Sequence, residues 1–307
     1  MQNTLKFIED IKKEKKAVIV AHYTQSDQIK DIADYIGDSL FLAYKLTESE
    51  AKVVVSCGPN YLAENIKILF PKKIVLQSDV FSICEMIKKV DLDNLKKIII
   101  DNPEAAVVSN IKSTAEMKAM SDICCTDTNA LEIVNKLFEE KVIFFPDKNL
   151  GDYIRKRTNK NIITLDSCCP VNNAAQIKDI ERLKNIYPDI IVGAHPGCKE
   201  EIVKNADFID DFTGPIEYIN KSKTKKFGIA AESGLLYKLK KENPNKKFYL
   251  LNHHLICKVM KRNNLTNVID SLENMETAIE IDEEIRLKAE NNIEKMKYYI
   301  NYLNNRN

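Results

Sequence analysis

Short runs of apolar residues recur along the chain, and longer polar stretches separate them. The runs rich in β-branched residues are AVIVA from 17, KVVVS from 52, KIVLQ from 73, KIIID from 97, VIFFP from 142, NIITL from 161, DIIVG from 189 and KFYLL from 247. Amphipathic segments such as YLAENIKILF and NALEIVNKLFEE lie between them. Strands that alternate with helices of this length are typical of parallel sheets with crossover helices. The pattern therefore predicts an α/β fold.

The C-terminal segment has a different pattern. From Asn274 onwards the sequence has helical spacing of apolar residues and few residues that break helices. Such spacing predicts a long terminal helix that packs on the body of the protein.

Composition narrows the class of protein. The 307 residues are 44% hydrophobic and 30% charged, which is ordinary for a globular protein with a substantial core. The formal net charge of +1 gives no electric field that would attract nucleic acid or a membrane surface. The chain has no apolar run long enough to span a membrane, and its start, MQNTLKFIEDIKKEKK, is unlike a signal peptide. We therefore expect a cytoplasmic protein that acts on a small molecule; the sequence does not indicate its oligomeric state.

The eight cysteines are the first candidates for chemistry. Since the cytosol keeps thiols reduced, they are better explained as thiols or metal ligands than as disulfides. Three strand-like runs are followed by a cysteine: the first by Cys84, the second by the pair Cys168 and Cys169, and the third by Cys257. If Cys169 is taken from the pair, the separations are 85 and 88 residues. This spacing suggests three similar α/β domains, each ending in one cysteine, although the residues alone do not establish a repeat. The predicted domains are 1–86, 87–170 and 171–262, followed by C-terminal helices in 263–307.

Three thiolates from three domains suit an iron-sulfur cluster better than a structural zinc site. A structural zinc normally takes four ligands, often as paired C-x-x-C motifs, and the sequence has no such pair. A 4Fe-4S cluster with one iron left open takes three, and the open iron can bind a substrate oxygen as a Lewis acid. Buried structural cysteines, which behave as small apolar residues, are the other explanation for the same pattern.

Several motifs, in order along most of the chain, resemble the quinolinate synthase family. They are VAHYTQSDQIKDIADYIGDSLFLA (20–43), YLAENIKIL (61–69), STAEMKAMSDICCTDTNALEIV (113–134), FFPDKNLGDYI (144–154), AHPGCKEEIVKNAD (194–207) and AAESGLLYKL (230–239). The resemblance implies three α/β/α domains in a pseudo-threefold arrangement around a 4Fe-4S cluster. Cys84, Cys169 and Cys257 match the cluster ligands. Cys168 is adjacent to Cys169, and Pro170, which follows Cys169, favours Cys169 as the ligand.

The resemblance also implies an activity and a set of pocket residues. The family condenses iminoaspartate with dihydroxyacetone phosphate and removes water to give quinolinate, a precursor of NAD. Its pocket imidazoles, carboxylates and hydroxyls move protons and bind anionic groups. The matching residues here are His22, His195 and Glu232 as catalytic groups, and Ser39, Lys112, Thr126, Asp127 and Thr213 as substrate-binding groups. Each residue taken alone is more often a helix cap or a satisfied polar group.

The pocket motifs also depart from the family. Thr24 replaces a catalytic tyrosine, and the segment from Asn110 to Ser113 reads NIKS where the family has Tyr-Val-Asn-Thr. Asp127 stands at a serine position, and its charge would repel a carboxylate unless it is protonated or paired with a cation, for which Lys112 is the candidate. Gly197 replaces a glutamate of the acid/base set, and Phe212 replaces a hydroxyl residue.

These departures leave three hypotheses. The first is a 4Fe-4S lyase or transferase of this family that has changed its substrate or reaction, to dehydration, condensation or sulfur transfer. The second is an authentic but divergent quinolinate synthase. The third is a non-catalytic cluster protein that acts as a sensor, against which the retained polar residues His22, His195 and Ser39 argue. The sequence alone favours the first of these.

Overall fold

The computed structural model describes residues 2–212 and 216–304, with side chains described for 3–212 and 216–298. Strands in this part of the chain form three four-stranded parallel sheets, which confirms the predicted α/β class. The first sheet contains β1 (Ala17–His22), β2 (Tyr35–Gly37), β3 (Val53–Cys57) and β4 (Ile74–Gln77). The second contains β5 (Ala106–Asn110), β6 (Ile123–Cys125), β7 (Lys141–Phe145) and β8 (Asn161–Thr164). The third contains β9 (Ile191–Ala194), β10 (Phe208–Ile209), β11 (Lys226–Ala230) and β12 (Lys247–Leu250).

Helices connect these strands and follow the last sheet. Up to the end of the second sheet they are α1 (Gln2–Lys15), α2 (Asp27–Ile32), α3 (Ser39–Thr47), α4 (Asn60–Leu69), α5 (Glu85–Lys88), α6 (Leu92–Ile100), α7 (Ala115–Ala119), α8 (Ala130–Lys136) and α9 (Lys148–Arg155). The later helices are α10 (Ile177–Ile186), α11 (Glu200–Asn205), α12 (Glu217–Lys221), α13 (Leu235–Glu242), α14 (Leu265–Asn274) and α15 (Glu283–Asn304). Short 3₁₀ turns lie at Asn172–Ala174 and Met260–Arg262.

All three sheets have one topology. In each of them the first strand lies between the second and the third, and the fourth strand follows the third at the edge. Every pair of neighbouring strands is parallel. The carboxyl ends of the four strands therefore meet at one edge of each sheet, which is where α/β proteins place their ligand sites.

The hydrophobic pattern predicted most of these strands. Seven of the eight predicted runs are strands, but KIIID is wrong because it belongs to helix α6. The side chain of Asp91 accepts hydrogen bonds from the backbone N–H groups of Asp93 and Asn94, and this cap begins the helix. The pattern missed β2, β6 and β10, which have two or three residues each, and also β5 and β11, whose runs include polar residues or glycine.

Helices cover both faces of the first sheet, which explains why its strands are continuous apolar runs. Ile19 and Val55 pack with residues of α1 and α14 on one face. Val20 and Val54 pack with residues of α3 and α4 on the other face. A parallel sheet covered by helices on both faces needs apolar side chains at nearly every strand position.

In each sheet, one aspartate forms the same two hydrogen bonds with a residue of the first strand. Its carboxylate accepts a hydrogen bond from a backbone N–H in the first strand, and its own N–H donates to the carbonyl of that same residue. The three pairs are Asp34 with Ile19 (2.7 and 2.8 Å), Asp122 with Val107 (2.8 and 2.8 Å) and Asp207 with Val192 (2.8 and 2.7 Å). Each pair is separated by 15 residues. The sheets are therefore a structural repeat, and residues at the same distance from these anchors are equivalent.

We expect Asp122→Ala to destabilise the protein by about 1–3 kcal/mol, because the buried N–H of Val107 then loses its acceptor. Chemical denaturation measures this change. The control is Asp189→Ala, which removes an exposed ion pair with Lys226 and should leave the denaturation midpoint unchanged. Equal midpoints for Asp122→Ala and the wild type would contradict the anchor role.

By its internal contacts the chain divides into two compact units. Unit 1 comprises 1–84, 111–119 and 258–291, and unit 2 comprises 85–110, 120–257 and 292–307. Unit 1 contains the first sheet, and unit 2 contains the second and third sheets. The domain boundaries predicted from the cysteine spacing stay predictions, although the strands of each sheet lie between two of those boundaries.

The C-terminal segment contains the predicted long helix, but the helix begins later than Asn274. Helix α14 ends at Asn274, residue Ala278 then forms an antiparallel bridge with Leu76 in β4, and α15 runs from Glu283 to Asn304. Arg286 in α15 donates to the carbonyl of Ile68 at the end of α4. Among the described residues, no helix combines the length and the apolar character needed to cross a membrane.

Candidate active site

The three cysteines singled out by their spacing follow the fourth strand of their respective sheets. Cys84 follows β4, Cys169 follows β8 and Cys257 follows β12. The thiols of all three are half-buried. Cys84 packs against the core of unit 1, and Cys169 and Cys257 pack against one core cluster of unit 2.

One backbone hydrogen bond recurs in the three cysteine loops. The residue three positions past the third strand donates its N–H to the carbonyl two positions before the cysteine. The three bonds are Asn60 to Ser82 (2.8 Å), Lys148 to Ser167 (2.7 Å) and Ser233 to Leu255 (2.8 Å). By this geometry Cys169, and not Cys168, is equivalent to Cys84 and Cys257. Burial and the nearby Asp147 carboxylate raise the pKa of Cys168, which disfavours its thiolate.

Two of the cysteines also have side-chain acceptors for their own backbone N–H. The N–H of Cys84 donates to Asn60 Oδ1 at 3.2 Å, and the N–H of Cys257 donates to Glu232 Oε1 at 3.0 Å. Glu232, predicted as a catalytic group, also accepts from the N–H of Gly234 at 2.5 Å. The structure thus places Glu232 in the loop of a cysteine that matches a cluster ligand.

The remaining cysteines are packed as apolar residues. Burial raises the pKa of Cys57 and of Cys198 to about 12, so both are neutral thiols near neutral pH. Cys124 and Cys125 are buried in β6. Over residues 3–212 and 216–298, whose side chains the structure describes, no three side chains of His, Cys, Asp or Glu form a group that could hold a single metal ion.

His22 ends the first strand of unit 1, and its ring has a defined tautomer. The backbone N–H of Thr24 donates to Nδ1 at 3.3 Å, and Thr24 Oγ1 lies 2.7 Å from the same atom. Since a backbone N–H can only donate, Nδ1 accepts and the proton of the neutral ring is on Nε2. Thr24, which stands where the family has a tyrosine, therefore supports the imidazole.

Ser39 begins helix α3 and is buried. Asn65 Nδ2 donates to Ser39 Oγ and to the carbonyl of Ile111, both at 3.0 Å. Asp38 caps the helix by accepting from the N–H groups of Leu40 and Phe41, so a carboxylate already occupies this helix N-terminus. Binding of an anion by the Ser39 hydroxyl stays a prediction.

The segment 111–119 belongs to unit 1 and includes Lys112, which is half-buried. The side chain of Lys118 is fully buried in the same segment and donates to the carbonyl of Ser113. The pairing of Lys112 with Asp127 stays a prediction.

His195 follows β9 of unit 2 and is three residues past its anchored strand residue, as His22 is in unit 1. The backbone N–H of Gly197 donates to His195 Nδ1 at 2.9 Å, and Asn172 Nδ2 lies 3.1 Å from the same nitrogen. The neutral ring therefore also has its proton on Nε2. That nitrogen lies 3.2 Å from Asp127 Oδ2.

Asp127 is five residues past the second anchor and so corresponds to Ser39 in the first sheet. Asn110 Nδ2 donates to Asp127 Oδ1 at 2.8 Å, while Oδ2 faces His195. The side chains of Asp127 and His195 are each only 7% exposed. Asn110, Asp127, His195 and Asn172 therefore form one buried hydrogen-bonded network within unit 2.

Thr126, a predicted substrate-binding residue, forms two hydrogen bonds with Asn129. Its backbone N–H donates to Asn129 Oδ1 at 2.6 Å, and the N–H of Asn129 donates back to Thr126 Oγ1 at 3.3 Å. This reciprocal pair shapes the turn before α8. Binding of substrate by Thr126 stays a prediction.

Phe212, the third residue equivalent to Ser39 and Asp127, points into the core. It is fully buried, with its ring 6.1 Å from that of Phe208, and its φ of 62° lies in the left-handed region that non-glycine residues rarely adopt. Asp211 accepts a hydrogen bond from the hydroxyl of Thr128. Thr213, predicted to bind substrate, lies outside the described residues.

The space around Gly197 is tight. A Cβ at this position would lie 3.1 Å from His195 Nδ1, 3.1 Å from Asn172 Nδ2 and 3.2 Å from Asp147 Oδ2. A Cβ here therefore requires these side chains to shift by a few tenths of an ångström.

Sequence reasoning missed three polar residues that the structure brings into these networks. Asn60 immediately precedes YLAENIKIL, and Asn65 lies within this motif, directly after its glutamate. Asn172 lies three residues after Cys169. In the sequence, an asparagine near the start of a helix or on its buried face is only a weak signal of a site residue. Its hydrogen-bonded partners are distant in sequence and cannot be identified from the sequence.

Known proteins resemble the chain over nearly its whole length. The model of the quinolinate synthetase A protein family matches residues 6–298. A quinolinate synthase of Clostridium perfringens is 42% identical over 93% of this chain and 95% of its own length. One from Alkaliphilus metalliredigens is 41% identical over 96% and 97%, and quinolinate synthase 1 of Methanosarcina acetivorans is 38% identical over 95% and 96%. The chain belongs to the quinolinate synthase family.

Proposed function

We propose that this protein is a quinolinate synthase that condenses iminoaspartate with dihydroxyacetone phosphate on a 4Fe-4S cluster held by Cys84, Cys169 and Cys257. The observation that carries the proposal is the equivalent placement of these three half-buried thiols in a chain 42% identical to a quinolinate synthase. This similarity supports quinolinate formation over the changed reaction that the sequence alone favoured.

The cysteines present fit such a cluster. Thiolates are its normal ligands, and three of them leave one iron open. The three candidate ligands are half-buried, whereas Cys57 and Cys198 have raised pKa values and are fully enclosed. When bound, the cluster would supply a Lewis acid that polarises a substrate oxygen.

The chain's own residues would bind the substrates and move protons. His22 carries a proton on Nε2 and can donate it to an anionic or carbonyl oxygen. Ser39 accepts from Asn65, which leaves its hydroxyl proton to donate to an anionic group. Lys112, Thr126 and Thr213 are further proposed contacts to the substrates.

His195 acts in this proposal together with Asp127. The Gly197 N–H and the Asp127 carboxylate engage both of its ring nitrogens, so the pair forms one acid/base unit. Proton transfer by such a group contributes typically about 10²- to 10⁴-fold to a rate.

A changed reaction is a second candidate, and three observations favour it. Asp127 is a buried carboxylate at a family hydroxyl position, Gly197 has no side chain where the family has a glutamate, and Phe212 is turned into the core. In this case the cluster would be retained while the substrate differs.

The test is anaerobic reconstitution of the purified protein with iron and sulfide, followed by incubation with iminoaspartate and dihydroxyacetone phosphate. We expect about four irons per chain and quinolinate as the product, measured by chromatography. Growth of a quinolinate-requiring bacterial strain on the expressed protein is the matching test in cells. A full cluster without quinolinate formation would overturn the proposed reaction and favour the second candidate.

A further inference from the structure

Two of the loops that hold the proposed cluster ligands share an unusual feature. The backbone N–H of Cys84 donates to the side chain of Asn60, and the backbone N–H of Cys257 donates to the side chain of Glu232. Amide N–H groups beside ligand cysteines commonly have a different acceptor available, the sulfur of the cluster, and hydrogen bonds to sulfur raise the reduction potential.

Both acceptors are themselves held in place. Glu64 Oε1 accepts from Asn60 Nδ2 at 3.2 Å, and Glu64 Oε2 accepts from the N–H of Ala115 at 2.6 Å. This fixes the amide of Asn60, so that its Oδ1 faces Cys84. The carboxylate of Glu232 is about nine-tenths buried and accepts from Gly234 and Ser233 besides Cys257.

We propose that Asn60 and Glu232 are positioning residues that fix the Cys84 and Cys257 loops and, because they accept from the N–H groups of these cysteines, would withhold both donors from a bound cluster. The inference rests on the proposed 4Fe-4S cluster. Asn60 and Glu232 thereby keep the reduction potential low, and Glu232 adds a negative charge that further stabilises the oxidised cluster.

Three variants separate these effects. Asn60→Ala frees the N–H of Cys84 without changing the charge. Glu232→Ala frees the N–H of Cys257 and removes a charge, whereas Glu232→Gln removes the charge and keeps one acceptor oxygen. The control is Asp207→Ala, which removes a carboxylate that binds the backbone of unit 2 at Val192, in a different strand from the Cys257 loop.

The measurement is a redox titration of the reconstituted holoenzyme followed by EPR, together with its iron content. We expect higher midpoint potentials in all three variants, with the largest shift in Glu232→Ala, and an unchanged potential in Asp207→Ala. We also expect a loss of cluster affinity in Glu232→Ala of roughly 10- to 100-fold, as is typical when outer-shell partners are removed.

The possible outcomes are distinguishable. If the wild type holds a cluster and the variants titrate at its potential, the inference is wrong and the proposed function is unaffected. If Glu232→Ala holds no cluster while Asp207→Ala does, positioning is supported. If the wild type holds a cluster but forms no quinolinate, the proposed reaction fails while these titrations still decide the inference; a wild type without a cluster overturns both.

Discussion

Cys169→Ser is expected to abolish cluster assembly and to lower the rate of quinolinate formation by roughly 10³-fold or more. The reason is that Lewis-acid catalysis by a metal lowers the activation free energy by several kcal/mol. Serine has nearly the same size as cysteine but is a poor ligand for iron. Cys169 is half-buried. The backbone hydrogen bond from Lys148 to Ser167, which recurs in the other two cysteine loops, places Cys169 in a position equivalent to those of Cys84 and Cys257.

The matched control is Cys168→Ser, one residue away on the same loop. We expect it to keep the iron content and activity of the wild type, since Cys168 is displaced by one position from the repeated geometry. Iron and sulfide analysis with EPR, and quinolinate assays on both variants, make the comparison. Retention of a full cluster by Cys169→Ser, with its loss in Cys168→Ser, would reverse the ligand assignment.

The sequence predicted the fold class because parallel strands buried on both faces are continuous apolar runs, as in β1, β3 and β7. The prediction failed at KIIID, where three consecutive isoleucines suit a buried strand as well as they suit a helix. There the cap at Asp91 and the burial of Leu95 decide for a helix. Local apolar content cannot distinguish these two states over five residues.

The structural repeat was hidden in the sequence for a physical reason. It depends on one aspartate per sheet, in IADYI, MSDIC and NADFI, and on backbone hydrogen bonds that any residue can make. The three loops of this chain therefore have the same backbone geometry, although their side chains differ. The same repeat places Ser39, Asp127 and Phe212 at equivalent positions, where one is a hydroxyl, one a carboxylate and one a buried ring.

The cysteines could be selected from the sequence because their chemistry and spacing are both visible there. The hydrogen-bonded partners of the pocket residues could not. Asp127 and His195 are 68 positions apart in the chain and meet only because the second and third sheets place them together in unit 2. The pairing gives Asp127 a defined hydrogen-bonded partner that the sequence did not indicate.

Asp127→Asn is expected to lower kcat for quinolinate formation by roughly 10²- to 10³-fold with little change in KM, within the range for acid/base groups. Asparagine can still accept from Asn110 through one oxygen, but its NH₂ group then faces the Nε2–H of His195, and two donors meet. In proteases with an aspartate–histidine pair the same replacement costs about 10⁴-fold because the ring takes the wrong tautomer. Here the N–H of Gly197 still holds Nδ1 as an acceptor, so we expect a smaller loss.

The control for this variant is Asp179→Asn. Asp179 is another buried carboxylate of unit 2, and it accepts from the N–H of Gln176 and from Asn252 in the cap of α10. Its replacement should lower the melting temperature without lowering kcat. If Asp127→Asn and Asp179→Asn lose stability alike and both keep the wild-type kcat, the pair of Asp127 and His195 is structural and takes no part in proton transfer.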